Sequence, residues 1–210
     1  MSDILNSLIE RFPAISECKN DIISAFNLMV NCYDNGGKLL CCGNGGSAAD
    51  CDHLVGELMK GFLKKRPVSN IKREEMKANC PCLEDEIISE LQCGLPAVSL
   101  TSMTALNTAF CNDVDPELIY AQPLMALGNE KDILIAISTS GNSKNVYAAA
   151  KVAKALGLKV IGLTGVSGGK LKEIADICIC VPEIETFKIQ ELHLPVYHYL
   201  CVETEAHFFG

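Results

Sequence analysis

Five short apolar runs, none alternating with polar residues, recur along this chain and constrain its fold more than any other feature. They are Lys38–Cys42, Ala97–Leu100, Asp132–Ile137, Lys159–Leu163 and Ile177–Val181. A strand that is apolar at nearly every position has to be covered on both faces, as in a parallel sheet flanked by helices. The stretches between the runs carry apolar residues at helical spacing. The expected fold is therefore α/β, a three-layer sandwich around a five-stranded parallel sheet. Ahead of the first run, residues 3–33 read as a long amphipathic amino-terminal helix. Ile4, Leu5, Leu8, Ile9, Ile22, Ile23, Phe26 and Met29 are at helical spacings, with a break or kink near Pro13.

The 210 residues are expected to form a single domain, 1–210, carrying a charged insertion at about 64–95 in which Leu83–Leu91 reads as a short helix. With 49% apolar and 21% charged residues the composition is globular. A net charge of -8 argues against duplex nucleic acid as a partner, because phosphate neutralisation needs a basic footprint. The apolar runs are strand-sized, well short of the roughly 20 residues of a membrane helix. The amino terminus lacks the basic and apolar regions of a secretory signal, so a soluble, cytoplasmic protein without a membrane partner is expected.

Twelve cysteines are many, yet without a secretory signal a disulfide framework is the lesser reading. Cys41, Cys42, Cys178, Cys180 and Cys201 sit in apolar stretches, where a thiol serves as a small hydrophobe. Cys80-Pro81-Cys82, with Cys93 nearby, lies in the charged segment and leaves a metal or redox clip open.

In a parallel sheet, ligands gather at the carboxyl ends of the strands. Two polar turns there stand out: Gly43-Asn44-Gly45-Gly46-Ser47 and Ser138-Thr139-Ser140-Gly141-Asn142-Ser143. Each follows a strand and opens a helix, where backbone N–H groups and partial positive charge favour an anion. Neither carries the signature of a nucleotide loop, and hydroxyls without lysine suit a phosphomonoester on a small neutral body. On the first of these helices His53 and Glu57, at i and i+4, share one face. A second polar cluster, Gln190 to His198, interrupts an apolar helix near the carboxyl end; these two places hold three of the four histidines.

CGNGGSAAD at 42–50, HLVGEL at 53–58, ND at 112–113, ISTSGNSKNV at 137–146, LTG at 163–165 and IQELHLPVYH at 189–198 together resemble the sugar isomerase (SIS) domain family, and within it the phosphoheptose isomerase group. The resemblance covers nearly the whole chain apart from the charged insertion. It implies a flavodoxin-like or Rossmann-like sheet and a cytoplasmic homotetramer interconverting sedoheptulose 7-phosphate and D-glycero-D-manno-heptose 7-phosphate through an enediol. It also implies one zinc ion per subunit on His53, Glu57, Gln190 and His198, with Glu57 and His198 as the catalytic base and acid. The substrate positions it implies are Asn44, Gly45, Gly46, Ser47, Glu57, Asn112, Asp113, Ser138, Thr139, Ser140, Ser143 and Gln190. Two positions depart from the pattern. Phe187 replaces a residue that is polar in many members, and the basic residue after HLVGEL is displaced, with Lys60 and Lys64 the nearest.

An aldose–ketose shift needs a base at carbon, an acid or Lewis acid at oxygen, and an anchor for the phosphate, and these residues match that requirement. In a single helix, Gln190 and His198 are about 12 Å apart along the axis. Either Gln190 precedes the helix or the ligands come from more than one subunit. Two other readings use the same loops: a non-catalytic SIS protein that binds a partner protein, and a sensor that binds a sugar phosphate without converting it. The partner-binding relative lacks the acidic residue and the final histidine that are here Glu57 and His198.

Overall fold

The computed structural model describes residues 3–210. Its strands are β1 (Leu39–Gly43), β2 (Ala97–Ser99), β3 (Ile133–Ile137), β4 (Lys159–Thr164) and β5 (Ile177–Cys180). Each lies on one of the five apolar runs to within one residue. All pairings are parallel and the order is β2-β1-β3-β4-β5.

Strand side chains alternate between the two faces, and both faces are covered. Leu39, Cys41, Ile133, Ile135, Ile137, Ile161, Leu163 and Ile179 pack into one core. That core is closed by α1 (Asp3–Arg11), α2 (Lys19–Asp34), α3 (Gly46–Met59) and α10 (Thr186–Phe209). Leu40, Cys42, Leu134, Ala136 and Val160 pack on the opposite face, beneath α7 (Ala121–Leu127), α8 (Lys144–Ala155) and α9 (Gly169–Ile174). Helix α3, which follows β1, and α8, which follows β3, thus leave the sheet on opposite faces. Between β1 and β3 the strand order reverses, opening the crevice where doubly wound sheets bind ligands.

The amino-terminal stretch is two helices joined by a 3-10 turn, Pro13–Cys18. Proline fits the first position of that turn, where its missing N–H costs nothing. The charged segment also differs from the reading of one short helix: α4 (Asn70–Asn79) precedes α5 (Asp85–Glu90). No side chain of α4 is buried, and of its ten residues only Ile71, Met76 and Ala78 are apolar, too few to stand out in a charged segment. Ser69 Oγ caps it by accepting from Lys72 N–H (3.2 Å), and Arg73 and Lys77 both pair with Asp85 of α5. The remaining helix is α6 (Thr104–Asp113), likewise without a buried side chain.

The cysteines form no disulfide. Cys41, Cys42 and Cys201 are buried, as expected of small hydrophobes, and Cys178 and Cys180 are half-buried. Cys80 and Cys82 are exposed with their sulfurs 3.5 Å apart, while the Cys93 thiol turns to the Pro67 carbonyl. Among the described residues no group of three or more His, Cys, Asp or Glu side chains is placed to hold a metal ion. No helix among them is long and apolar enough to cross a membrane.

Candidate active site

The two glycine- and serine-rich loops meet at the mouth of the β1/β3 crevice. Asn44 and Asn145 exchange side-chain amide hydrogen bonds across it (2.8 and 2.9 Å). Tyr120 Oη donates to the Gly43 carbonyl (2.6 Å) and so fixes the end of β1. Gly45 turns the chain into α3 with φ +57° and ψ -120°, a conformation open to glycine. A Cβ on Gly46 would lie 2.3 Å from Nε2 of Gln190, so the α10 side chain rests directly on the α3 amino terminus.

The second loop is held from several sides. Ser138 and Ser143 hydroxyls are 3.0 Å apart, and Ser143 stands at the amino terminus of α8. Gly141 has φ +66°, and a Cβ there would lie 1.9 Å from the Gly168 carbonyl oxygen. The Gly141 carbonyl accepts from Leu171 N–H and the Thr139 carbonyl from Gly165 N–H, which binds the loop to the turn after β4. Ser47 and Ser138 are buried, Thr139 and Ser143 half-buried, and Ser140 exposed.

Further along α3, Nε2 of His53 is 3.3 Å from Oε1 of Glu57. Lys60 Nζ donates to the other Glu57 oxygen (3.3 Å), so the displaced basic residue reaches this carboxylate. From α10, the His198 ring stands edge-on to that of His53, centroids 5.0 Å apart, and Phe62 leans on its other side at 5.5 Å. Burial, with the His53 charge adding to it, holds His198 below the ordinary histidine value, so it is neutral at neutral pH. Its Nε2 is buried with no hydrogen-bond partner.

His53, Glu57 and His198 therefore come together at the α3/α10 seam. Gln190 does not join them. It lies inside α10, whose 24 residues include both Gln190 and His198. It packs on the loop at Gly46, about 12 Å of helix rise from His198. The alternative in which Gln190 precedes the helix is thereby corrected: α10 runs through Pro195 without interruption of its span. Asn112 and Asp113 lie on the exposed end of α6, where Asn112 Nδ2 donates to Asp113 Oδ1 (2.8 Å). Two imidazoles and a carboxylate are donor types that zinc accepts, and the unpartnered His198 Nε2 is the kind of atom a cation would satisfy, but in this chain the three side chains are not drawn together closely enough to hold the ion.

Sequence reasoning passed over four residues here: Asp50, Tyr120, Asn145 and Tyr197. Tyr197 Oη lies 3.0 Å from His53 Nδ1 and donates to Asp50 Oδ1 (3.3 Å). The available signals were slight, Asp50 three residues before His53 and Tyr197 beside His198. Tyr120 lies outside every motif.

A doubly wound sheet with two anion-type helix amino termini at its switch point defines an α/β protein suited to a small anionic ligand. The SIS domain family model matches residues 5–73 and 88–165, passing over part of the charged segment. Phosphoheptose isomerases are similar over most of the chain. That of Helicobacter pylori (strain P12) is 40% identical over 87% of this chain and 81% of its own. That of Thiobacillus denitrificans is 37% identical over 97% and 95%. The solved phosphoheptose isomerase from Francisella tularensis is 36% identical, covers 98% of this chain and 100% of its own, and superposes with a TM-score of 0.75. The chain belongs to the SIS domain family, in its phosphoheptose isomerase branch.

Proposed function

We propose that this protein is a phosphosugar isomerase that interconverts sedoheptulose 7-phosphate and D-glycero-D-manno-heptose 7-phosphate. The observation that carries the reading is the layout of α3. Its amino terminus opens the first anion-type loop, and His53 and Glu57 follow on the same helix, about 10 and 16 Å further along. That separation suits a substrate whose phosphate is remote from its reacting carbons. The phosphate is held by Ser138, Thr139, Ser140 and Ser143 with the helix amino termini, and Asn44 to Ser47 and Gln190 orient the sugar.

Glu57 removes the proton from the carbon beside the carbonyl and returns it to the neighbouring carbon, by way of an enediol. Neutral His198, kept so by burial, moves the proton between the two oxygens. A zinc ion held by His53, Glu57 and His198 would polarise the carbonyl oxygen. A carboxylate that also held zinc would be a weaker base, so the ligand and base roles of Glu57 would compete. Gln190 is a substrate ligand in its own protomer, and reaches a metal only if a second copy brings another α10 to the site. The assembly is a homotetramer, and the enzyme works in the cytoplasm.

A coupled assay across C5–C7 ketose phosphates, with and without zinc, tests the reading. Glu57→Gln should lower turnover by at least about 10²-fold, the lower end of a general base's contribution, with sugar-phosphate binding retained. Wild-type protein that binds these sugars and converts none would make it a sensor.

A further inference from the structure

Tyr197 stands between Asp50 and His53. Its oxygen is 3.3 Å from Asp50 Oδ1 and 3.0 Å from His53 Nδ1, and its ring lies edge-on to that of His53. A phenol has one proton to donate. Asp50 is half-buried, its Oδ2 is buried without a partner, and among the described residues Tyr197 is the donor that reaches its carboxylate. A carboxylate stripped of its last donor costs more than an imidazole nitrogen left as an acceptor. The Tyr197 proton therefore belongs to Asp50.

We infer that Tyr197 is a positioning residue: it donates to Asp50, accepts from Nδ1–H of His53, and so leaves His53 Nε2 unprotonated toward Glu57. Nε2 and Glu57 Oε1 then face each other as two acceptors 3.3 Å apart. That arrangement calls for a positive partner, either a metal ion or a substrate hydroxyl proton. The opposite tautomer would satisfy Glu57 with an N–H and leave nothing for a cation. A hydrogen bond on the far nitrogen is a general means of orienting a ligating imidazole. The inference deepens the reading of His53 and Glu57 as site residues and rests on it, but the tautomer itself does not depend on turnover.

Long-range proton–nitrogen correlation spectra of metal-free protein labelled with ¹⁵N-histidine, at about pH 8 where imidazoles are neutral, report which nitrogen carries each proton. With four histidines in the chain, His53→Gln identifies the signals of His53. The expected wild-type result is a His53 proton on Nδ1. Tyr197→Phe keeps the ring and removes the oxygen; His53 should then move toward the Nε2–H form. Zinc affinity, read by competition with a chromophoric chelator, should fall about 10–100-fold. A wild-type proton on Nε2 overturns the inference, as does a Tyr197→Phe protein with unchanged tautomer and zinc affinity. If circular dichroism shows that variant unfolded, the wild-type spectrum alone decides. The expected tautomer in a protein that converts no ketose phosphate would refute the isomerase reading and leave the positioning role standing.

Discussion

His193 lies in the same helix as the site residues but faces the sheet, fully buried, with neither ring nitrogen in a hydrogen bond. Burial lowers it to about 4. The unfolded chain takes up this proton near pH 6.5 and the folded chain only near 4. Between those values the unfolded state binds more protons, so stability is full above the window and falls as pH drops through it. The loss from this one group is about 3 kcal/mol. His193→Leu should flatten the fall of melting temperature between neutral pH and pH 4.5, measured against wild type by calorimetry. Equal slopes would show that His193 finds a partner for its proton. From residue type alone, His193 and His198 were indistinguishable within IQELHLPVYH; which of them meets the sheet and which meets His53 depends on how α10 is rotated against α3.

The carboxyl end of α3 is anchored by Arg66, a wholly buried charge in the segment read as a charged insertion. Its Nη1 donates to the Leu58 carbonyl (2.7 Å) and its Nη2 to the Glu57 carbonyl (3.3 Å), closing the last turn of the helix. Its Nε pairs with Glu205 of α10 (2.9 Å), and the guanidinium lies over the Phe209 ring. Glu205 also accepts from the N–H groups of Phe62, Leu63 and Lys64. Burial by itself would raise the Glu205 carboxyl, but these donors and Arg66 outweigh it and hold it below the ordinary value. This stability is present above the ordinary carboxylate range and is lost as pH falls through the lower folded value. Arg66→Met should cost about 3–5 kcal/mol, because it leaves Glu205 buried without its counter-charge. A urea titration measures it. Arg66→Lys should recover only part, since an ammonium lacks the fork that reaches Glu205 and two carbonyls together. A loss under 1 kcal/mol for Arg66→Met would show that water replaces the guanidinium.

On the outer side of α10, a groove of about 780 Å³ runs against α1, lined by Leu8, Phe12, Leu194, Pro195, Tyr199 and His198. Leu63, Ile184 and Phe187 are exposed on the chain by 70%, 80% and 56%. Apolar surface left exposed in this way is what an assembly of copies would bury, so light scattering should give a multiple of 22.7 kDa. A mass of one chain at micromolar concentration would refute that assembly. Much of the fold was legible along the chain, because a strand buried on both faces has to be apolar at each position and the five runs are the record of that burial. The two loops were legible for a related reason: a turn with positive φ at Gly45 and Gly141 admits little but glycine. Helix α4 was not, since a helix that buries nothing needs few apolar residues to mark it, and neither was Arg66, whose burial depends on a counter-charge 139 residues away. The sequence alone determined the parallel sheet, the anion-type loops and the His53–Glu57 pair, all set by spacing within one element. Only the tertiary structure decided that Gln190 rests on the Gly46 loop and that Tyr197 bridges Asp50 and His53. Those contacts depend on how separate elements pack, and residue spacing within an element carries no record of that.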